Sequence, residues 1–373
     1  MKILMISPAI GGIDVYVNAL SKELRKIPNV VVDIKGGNKN QTAYDQEKKG
    51  WKTSTQVKEM IIEISDSIKF DNYDYVLFHY GKNDIEQYIP VILSKNRKET
   101  KAKFVYFVHY LSWNLFSHYL KDEEAAREVE NATLNFFNNY VFFGDFARNF
   151  IAERYEKTLD GKTIFLPETH ANETLSLDDI EKYKDYFQGS HKDKYKKVVY
   201  YAGFGSNYKD MESVLKALEE VNEGFLFVVA GKGWIKRIGF EENRIGKVQV
   251  RVVEKYLDSK EYRFLSSETL FGIFPYMQPK EKDEFFQGSG TLPNYINAGK
   301  ATIVYNEGSL PEYVGKSGII IKAGDVESLK DAINTLLNDE LRNEFEEEAK
   351  KVSKNFSIQN HAKEVYKYLE SIL

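Results

Sequence analysis

The stretch Phe286-Gln-Gly-Ser-Gly-Thr-Leu-Pro-Asn-Tyr-Ile-Asn-Ala-Gly-Lys300, running on into Ala-Thr-Ile-Val-Tyr305, decides how the chain is read. It spells a Gly/Ser loop, a short helix, a Gly turn and a strand. Such a loop can present several backbone N–H groups at a helix N-terminus, where the helix dipole adds roughly half a positive charge. That is a seat for phosphate, most simply the diphosphate of a nucleotide. Gly288, Ser289, Gly290 and Thr291 would build it, the hydroxyls of Ser289 and Thr291 adding to the backbone donors. The plain alternative is an ordinary loop that starts a helix.

Working outward, short apolar runs alternate with longer amphipathic ones, the pattern of βα units and a parallel sheet. Lys2–Ser7 reads as a buried strand, Gly11-Gly12 as a turn, and 13–26 as a helix with Val17, Leu20 and Leu24 on one face. Further strands are expected at 30–34, 75–80, 103–109, 138–143 and 163–166. Residues 175–196 turn polar and charge-rich and read as a surface helix plus linker. A second βα series then begins, with strands at 197–202, 225–230, 249–253, 270–274, 302–305 and 318–321 and helices at 211–221, 326–338, 339–354 and 361–373. The expected organisation is therefore an N-terminal unit over 1–190, a C-terminal unit over 197–355, and a terminal helix over 356–373 returning to the first. The expected class is α/β: two doubly wound, Rossmann-like halves facing each other across a cleft, with ligands outside the carboxyl ends of the strands.

Composition narrows the chemistry. The 373 residues suit two domains, and 42% hydrophobic with 29% charged residues describes a globular chain. A net charge of -4, with no Arg-rich tract, gives no reason to expect a nucleic-acid partner. The absence of cysteine excludes disulfides, thiolate catalysis and Cys-bound zinc. The first apolar run is too short for a signal peptide, and no stretch reaches the ~18 apolar residues of a membrane span. A cytoplasmic protein is expected, with peripheral membrane contact and a homo-oligomer left open.

Several motifs fail. A dinucleotide G-x-G-x-x-G is absent: Gly203-Phe-Gly205 runs to Tyr208, and Gly231-Lys-Gly233 to Lys236. Gly315-Lys-Ser317 ends like a P-loop but has Leu310 where the first glycine belongs. There is neither an H-E-x-x-H nor an Asp-x-Asp to hold a divalent metal on a diphosphate. Backbone amides and Lys or Arg are left to do that work, so no metal and no cofactor are expected.

The surviving pieces resemble, in order and over most of the chain, the retaining glycosyltransferases of family 4, whose fold is GT-B. Met1-Lys-Ile-Leu with Gly11-Gly12 resembles the family's first strand and Gly-rich loop. Val105-Tyr-Phe-Val-His109 resembles its strand ending in a His that contacts the donor sugar. Tyr200-Tyr-Ala-Gly203 with Lys209-Asp210 is similar to the block that opens the C-terminal half. Phe274-Pro-Tyr276 followed by Gln287-Gly-Ser-Gly290 is similar to a subset with a Gln-Ser-Gly loop, and Gly308-Ser-Leu-Pro-Glu312 to a block downstream. The departures are Phe204, where many members carry Arg, and Asn294, which stands with Phe286 where members have two Glu eight positions apart. A carboxylate from Lys282-Asp-Glu284 is a further candidate, more simply a solvated loop face.

The resemblance implies transfer of a sugar from a nucleotide-diphosphate donor, UDP first among them, to a saccharide, lipid-linked or protein acceptor. Retention and the absence of a metal are part of what it implies, as is a place in cell-envelope polysaccharide synthesis. His109 and Lys209 are the catalytic candidates: His109 donates to the sugar, and Lys209 meets the leaving diphosphate. Gly11, Gly12, Gly203, Gly288, Ser289, Gly290, Thr291, Asn294 and Glu312 are the donor-binding candidates, Asn294 for a ribose hydroxyl. His79 ends an analogous strand, and His118, His170, His191 and His361 read as structural or exposed. Two other readings stand beside this one: a transferase-like binding subunit without activity, favoured by Phe204 and Asn294, and a nucleotide-sugar epimerase.

Overall fold

The computed structural model describes all residues but 10, 38–40, 46–47, 82, 97–99, 111–114, 171–172, 279–287 and 373. Gln287 and the acidic run at 282–284 therefore lie outside the described residues. The chain divides into two compact units, Met1–Phe165 with Ile358–Leu373, and Leu166–Lys280 with Gly288–Ser357.

In the first unit the elements run β1 (Lys2–Ile6), α1 (Gly12–Leu24), β2 (Val31–Lys35), β3 (Tyr44–Asp45), β4 (Gly50–Trp51), α2 (Ser54–Asp66), β5 (Tyr75–His79), α3 (Ile89–Asn96), β6 (Lys103–Val108), α4 (Glu123–Asn135), β7 (Asn139–Phe142), α5 (Asp145–Tyr155) and β8 (Gly161–Thr163). The main sheet has the order β2-β1-β5-β6-β7-β8, and every pairing in it is parallel. A parallel sheet is covered on both faces, so its central strands must be apolar on both. Accordingly β5, Tyr-Val-Leu-Phe-His, is buried at all five positions. The short strands β3 and β4 form a separate antiparallel hairpin. Successive strands leave β1 in opposite directions, so the sheet turns round between β1 and β5.

The last helix, α14 (Ile358–Ser371), belongs to this unit and lies on α1. It buries Ile358, Ala362, Val365 and Leu369. A polar contact fixes its register: Tyr16 Oη lies 2.7 Å from His361 Nε2, and His361 Nδ1 lies 3.0 Å from Phe165 O. A carbonyl only accepts, so His361 carries its proton on Nδ1 and its Nε2 accepts from the Tyr16 hydroxyl.

The second unit runs α6 (Leu177–Gln188), β9 (Val198–Ala202), α7 (Met211–Leu218), β10 (Leu226–Ala230), α8 (Trp234–Ile238), β11 (Glu242–Ile245), β12 (Val248–Val253), α9 (Ser259–Ser267), β13 (Gly272–Phe274), α10 (Leu292–Asn297), β14 (Thr302–Tyr305), α11 (Leu310–Val314), β15 (Gly318–Ile321), α12 (Val326–Leu337) and α13 (Asp339–Val352). Its strands order β11-β12-β10-β9 and β13-β14-β15, parallel except for β11, which pairs antiparallel with β12 as an edge hairpin. The second group continues from the free edge of β9, where Leu270 N–H donates to Val198 O (2.8 Å). The strand order again turns round, here between β9 and β13.

The division falls at Phe165–Leu166, not in the polar tract at 190–197 where composition put it. The reason is α6, which the sequence reading left in the first half. Phe187 on α6 is buried among Tyr200, Ala202, Val228 and Phe264 of the second unit, and Gln188 donates to Tyr200 Oη (2.6 Å). A strand expected at 163–166 ends at Thr163. Among the described residues no helix is long and apolar enough to cross a membrane.

Tyr16→Phe tests the α14 lock. It leaves His361 Nε2 buried without a donor, which costs about 1–3 kcal/mol of unfolding free energy, read by urea denaturation. Unchanged stability would mean that the bond is not made in solution.

Candidate functional site

The carboxyl ends of β9 and β13, the two strands at the turn-round point of the second unit, are joined by one residue. Lys209, four residues after the Gly203-Phe204-Gly205 stretch that follows β9, forms an isolated antiparallel bridge with Tyr276, two residues after β13 ends. Such a point is where doubly wound sheets open a crevice.

The loop 203–210 is held from three sides. Gly203 N–H donates to Ala230 O (2.9 Å), Gly205 N–H to Lys232 O (2.9 Å), and Trp234 Nε1–H to Gly203 O (2.6 Å). Arg237 donates to Ser206 O (2.5 Å) and Lys209 O (2.6 Å), so its guanidinium braces the loop. The start of α8 is fixed by Glu254, whose carboxylate accepts from Gly233, Trp234 and Ile235 N–H (2.6–3.1 Å). Gly203 has φ +134, and a Cβ there would lie 2.7 Å from Lys209 Nζ. A side chain at 203 would displace the ammonium.

That ammonium is the most unusual group in the unit. Lys209 is 4% exposed and donates to Phe204 O (2.7 Å). The rings of Tyr276, Tyr201 and Trp234 stand 5.3, 5.4 and 5.7 Å from it, each offering a π face to a cation. Burial, and then the nearby Arg237 charge, bring its pKa down to about 7. Among the described residues one acceptor, Phe204 O, is bonded to an ammonium that carries three donors. A site that brought an anion to Lys209 would restore the charged form.

The Gly/Ser loop is linked to the same place. Thr291 Oγ1 lies 4.0 Å from where a Cβ on Gly203 would sit, next to Lys209 Nζ. Ser289 Oγ donates to Tyr276 Oη (3.1 Å), on the ring that faces the ammonium. Ser289 Oγ also accepts from Thr291 and Leu292 N–H (both 3.2 Å), so of the donors expected in the loop Thr291 N–H is already capped. With α10 only six residues long, its dipole is not the main attraction. The N–H groups of Gly288, Ser289 and Gly290 have no acceptor among the described residues. Gly290 is exposed, with open space where a Cβ would stand. Beside Gly288, Ser309 is fully buried and its hydroxyl has no partner among the described residues.

Asn294, read from sequence as a ribose ligand, is 4% exposed and acts as a brace. Both its N–H bonds go to carbonyls, Gly290 O (3.2 Å) and Thr291 O (3.3 Å), and its Oδ1 accepts from Thr169 N–H (3.3 Å). It has no donor left to offer a hydroxyl. Phe204, in the position where Arg was expected, is 53% exposed and packs edge-on against Tyr256, itself 71% exposed. Glu312 sits in the first turn of the five-residue helix α11.

The first unit gathers its own polar cluster at the ends of β5 and β6. His109, just beyond β6, is partly exposed, whereas His79, the last residue of β5, is fully buried. Their rings meet, His79 Nδ1 to His109 Nε2 at 3.1 Å. Tyr16 on α1 packs against both, with ring centroids 5.7 and 5.1 Å away, and His361 stands on its other side at 5.5 Å. Burial, with smaller contributions from the other imidazoles, holds the pKa of His109 at about 3 and lowers that of His79; burial likewise holds His361 at about 3. The three rings are neutral around neutral pH and serve as hydrogen-bonding groups, not cations. Gly11 (φ +90) and Gly12 are exposed at the start of α1, where Gly11 has no side-chain neighbour to avoid and supplies the positive φ.

The structure thus places Lys209 Nζ and, farther off, Thr291 Oγ1 around Gly203, and links Ser289 to the same place through Tyr276. Sequence reasoning missed Arg237, Trp234 and Tyr201, because their roles depend on loops from separate βα units meeting at one edge. It missed the His79–His109 pairing for the same reason.

Residues 182–352 match the family described as glycosyl transferases group 1. The chain is similar over its whole length to sucrose-phosphate synthase from Thermosynechococcus elongatus, at 14% identity, TM-score 0.71 and 100% coverage of both chains. It is also similar to HepE of Anabaena solved in complex with UDP-glucose, at 16% identity, TM-score 0.67 and 100% of both chains. A third is a glycosyltransferase from Rickettsia africae, at 18% identity, TM-score 0.65, with 100% of this chain and 98% of that one covered. No curated protein matches the chain significantly. At these identities the likeness establishes the fold, α/β of the GT-B type, as read from the sequence.

Lys209→Met tests the burial of the ammonium. A lysine whose pKa is lower folded than unfolded stabilises fully above its unfolded pKa of ~10.4 and loses about 1.4 kcal/mol per unit as pH falls toward 7. Wild type should therefore gain stability between pH 7 and 10 relative to Lys209→Met, and the variant should be about 1–3 kcal/mol more stable at pH 7.5. A variant weaker at every pH would show that the ring and carbonyl contacts outweigh the loss of water.

Proposed function

We propose that this protein is a glycosyltransferase that moves a sugar from a nucleotide diphosphate, UDP first among the candidates, to a hydroxyl acceptor with retention and without a metal. The observation that carries this is the buried Lys209 ammonium, poised near neutrality at the strand-end crevice beside Gly203 and Thr291. It is supported by the match of residues 182–352 to glycosyl transferases group 1 and by the fold shared with a protein solved in complex with UDP-glucose.

The chemistry follows from charge. The bond between the anomeric carbon and the diphosphate oxygen breaks with both electrons on that oxygen, leaving an oxocarbenium-like centre. Lys209, together with the N–H groups of Gly288, Ser289 and Gly290, neutralises the departing charge. The acceptor hydroxyl attacks the same face, and its proton passes to the leaving phosphate. His109 donates or accepts at a sugar hydroxyl, as a neutral imidazole does. Catalysis rests on orientation and on stabilising the leaving group, with no protein nucleophile. The acceptor is a saccharide, a lipid-linked sugar or a protein; work at a membrane surface and self-association belong to the same reading.

Phe204 favours a second reading, a binding subunit on this fold without activity. An exposed ring stands where a guanidinium would grip the diphosphate, and Arg237 of α8, which braces the loop, is engaged with carbonyls.

Calorimetric titration with UDP separates these readings. An anion on Lys209 lifts its pKa, so binding at pH 7.5 should take up roughly three quarters of a proton, seen as a dependence on buffer ionisation enthalpy. Lys209→Arg, charged throughout, should bind without that uptake. In assays with UDP-sugars, Lys209→Ala should lose about 10²–10³ in kcat. Binding with no turnover on any acceptor would support the inactive subunit. Silence toward UDP, GDP and ADP alike would overturn both.

A further inference from the structure

His79 has no role in the chemistry above, and its surroundings are hard to explain as packing alone. It is 0% exposed, at the carboxyl end of β5, which flanks the turn-round point of the first sheet. Phe107 and Tyr16 cover its ring, at centroid distances of 4.3 and 5.7 Å. Its Nε2 is sealed from solvent with no partner among the described residues. An apolar ring in the same place would avoid the cost of that orphaned nitrogen. What the histidine supplies, and a phenylalanine would not, is the single contact from Nδ1 to His109 Nε2 at 3.1 Å.

That contact decides which atom of His109 is available. The ring has two nitrogens, and Nε2 is engaged by His79. Nδ1 has no hydrogen-bond partner among the described residues, and His109 is the partly exposed member of the pair. Tyr16 and Phe143 pack against the His109 ring with centroids 5.1 and 5.0 Å away, so the ring is confined to one seat. Two neutral imidazoles joined by one hydrogen bond also share their tautomers: if His79 Nδ1 donates, His109 holds its proton on Nδ1, and if it accepts, His109 Nδ1 is a bare acceptor. A sugar hydroxyl both donates and accepts, so it can pair with either form. The atom it must approach is the same.

Resting on the donor-sugar reading of His109, we infer that His79 is a positioning residue for sugar recognition: it holds His109 by Nε2 and leaves Nδ1 as the only atom with which that ring can contact a sugar hydroxyl. The second histidine is thus part of the specificity machinery, acting through the first and touching no substrate itself.

The test uses the full chain with ¹⁵N-labelled histidine and two probes, UDP and UDP-glucose. In the free protein, His79→Phe should shift the His109 Nε2 resonance and release its tautomer, whereas His79→Asn, whose amide can replace Nδ1, should keep the wild-type signature. UDP-glucose, but not UDP, should move His109 Nδ1 and leave Nε2 in place. His79→Phe should weaken UDP-glucose binding roughly three- to tenfold, the loss of about one neutral hydrogen bond, with UDP unchanged. His79→Asn should stay within about twofold of wild type, and His109→Ala should add little to His79→Phe, since coupled residues are not additive. A His109 spectrum indifferent to His79→Phe, a ligand shift at Nε2, or equal losses for UDP and UDP-glucose would each overturn the inference, as would a wild-type Nδ1 that UDP-glucose does not move. Failure of UDP itself to bind sinks the donor reading instead, and the free-protein spectrum then still decides whether His79 holds His109.

Discussion

The ammonium of Lys209 is kept almost out of water by three aromatic rings and a backbone carbonyl, and much of the second unit's crevice is arranged around that fact. Burying a charge without a counter-charge is costly, and the protein meets the cost partly with π faces and partly by letting the pKa fall to about 7. The loop that carries Lys209 must then be rigid, because a mobile loop would let the side chain escape to solvent. Arg237, the Trp234 indole and Glu254 at the start of α8 supply that rigidity through carbonyls and amides rather than ion pairs within the loop. Gly203 suits the same place by its positive φ, and a Cβ there would push the Nζ aside.

The first unit solves the opposite problem. Its strand ends collect imidazoles, and burial keeps them neutral. One such ring, His361, is a structural bolt with a fixed tautomer between Tyr16 and Phe165 O. Another, His109, reaches the edge of the sheet. The neutral state is what allows three histidines to crowd around one tyrosine without repulsion.

How much of this was legible in the chain varies by element. Strands β14 and β15 fall where the apolar runs ended, because Gly and polar residues bracket them on both sides. Helices α12 and α13 appear at nearly their full length, since they carry side-chain caps in Asp325 and Asn338, whereas α8, α9 and α11 were not read as helices. The antiparallel strand β11 was invisible: Glu-Asn-Arg-Ile has neither an apolar run nor alternation, and it exists because β12 offers it an edge. The unit boundary was misread because a polar, charged tract looks like a linker, while Phe187 on its buried side docks into the second core.

At the site, loop chemistry marked the Ser289 stretch, and the family resemblance marked Gly203 and Lys209, because glycines at strand ends and a lysine at a helix start are local features that survive in order along the chain. What those residues do to one another was not local. The pKa of Lys209 depends on burial under rings from positions 201, 234 and 276; the caps within the Ser289 loop depend on where a serine rotamer points; and Asn294 became a brace only when the segment at Thr169 folded onto it. The sequence by itself determined that there would be two parallel sheets with glycine-lined carboxyl edges, since hydrophobic period and turn chemistry act within a dozen residues. The tertiary structure decided which polar groups at those edges stay charged, which stay neutral and which are left without a partner, because desolvation and hydrogen bonding are set by neighbours dozens to hundreds of residues away.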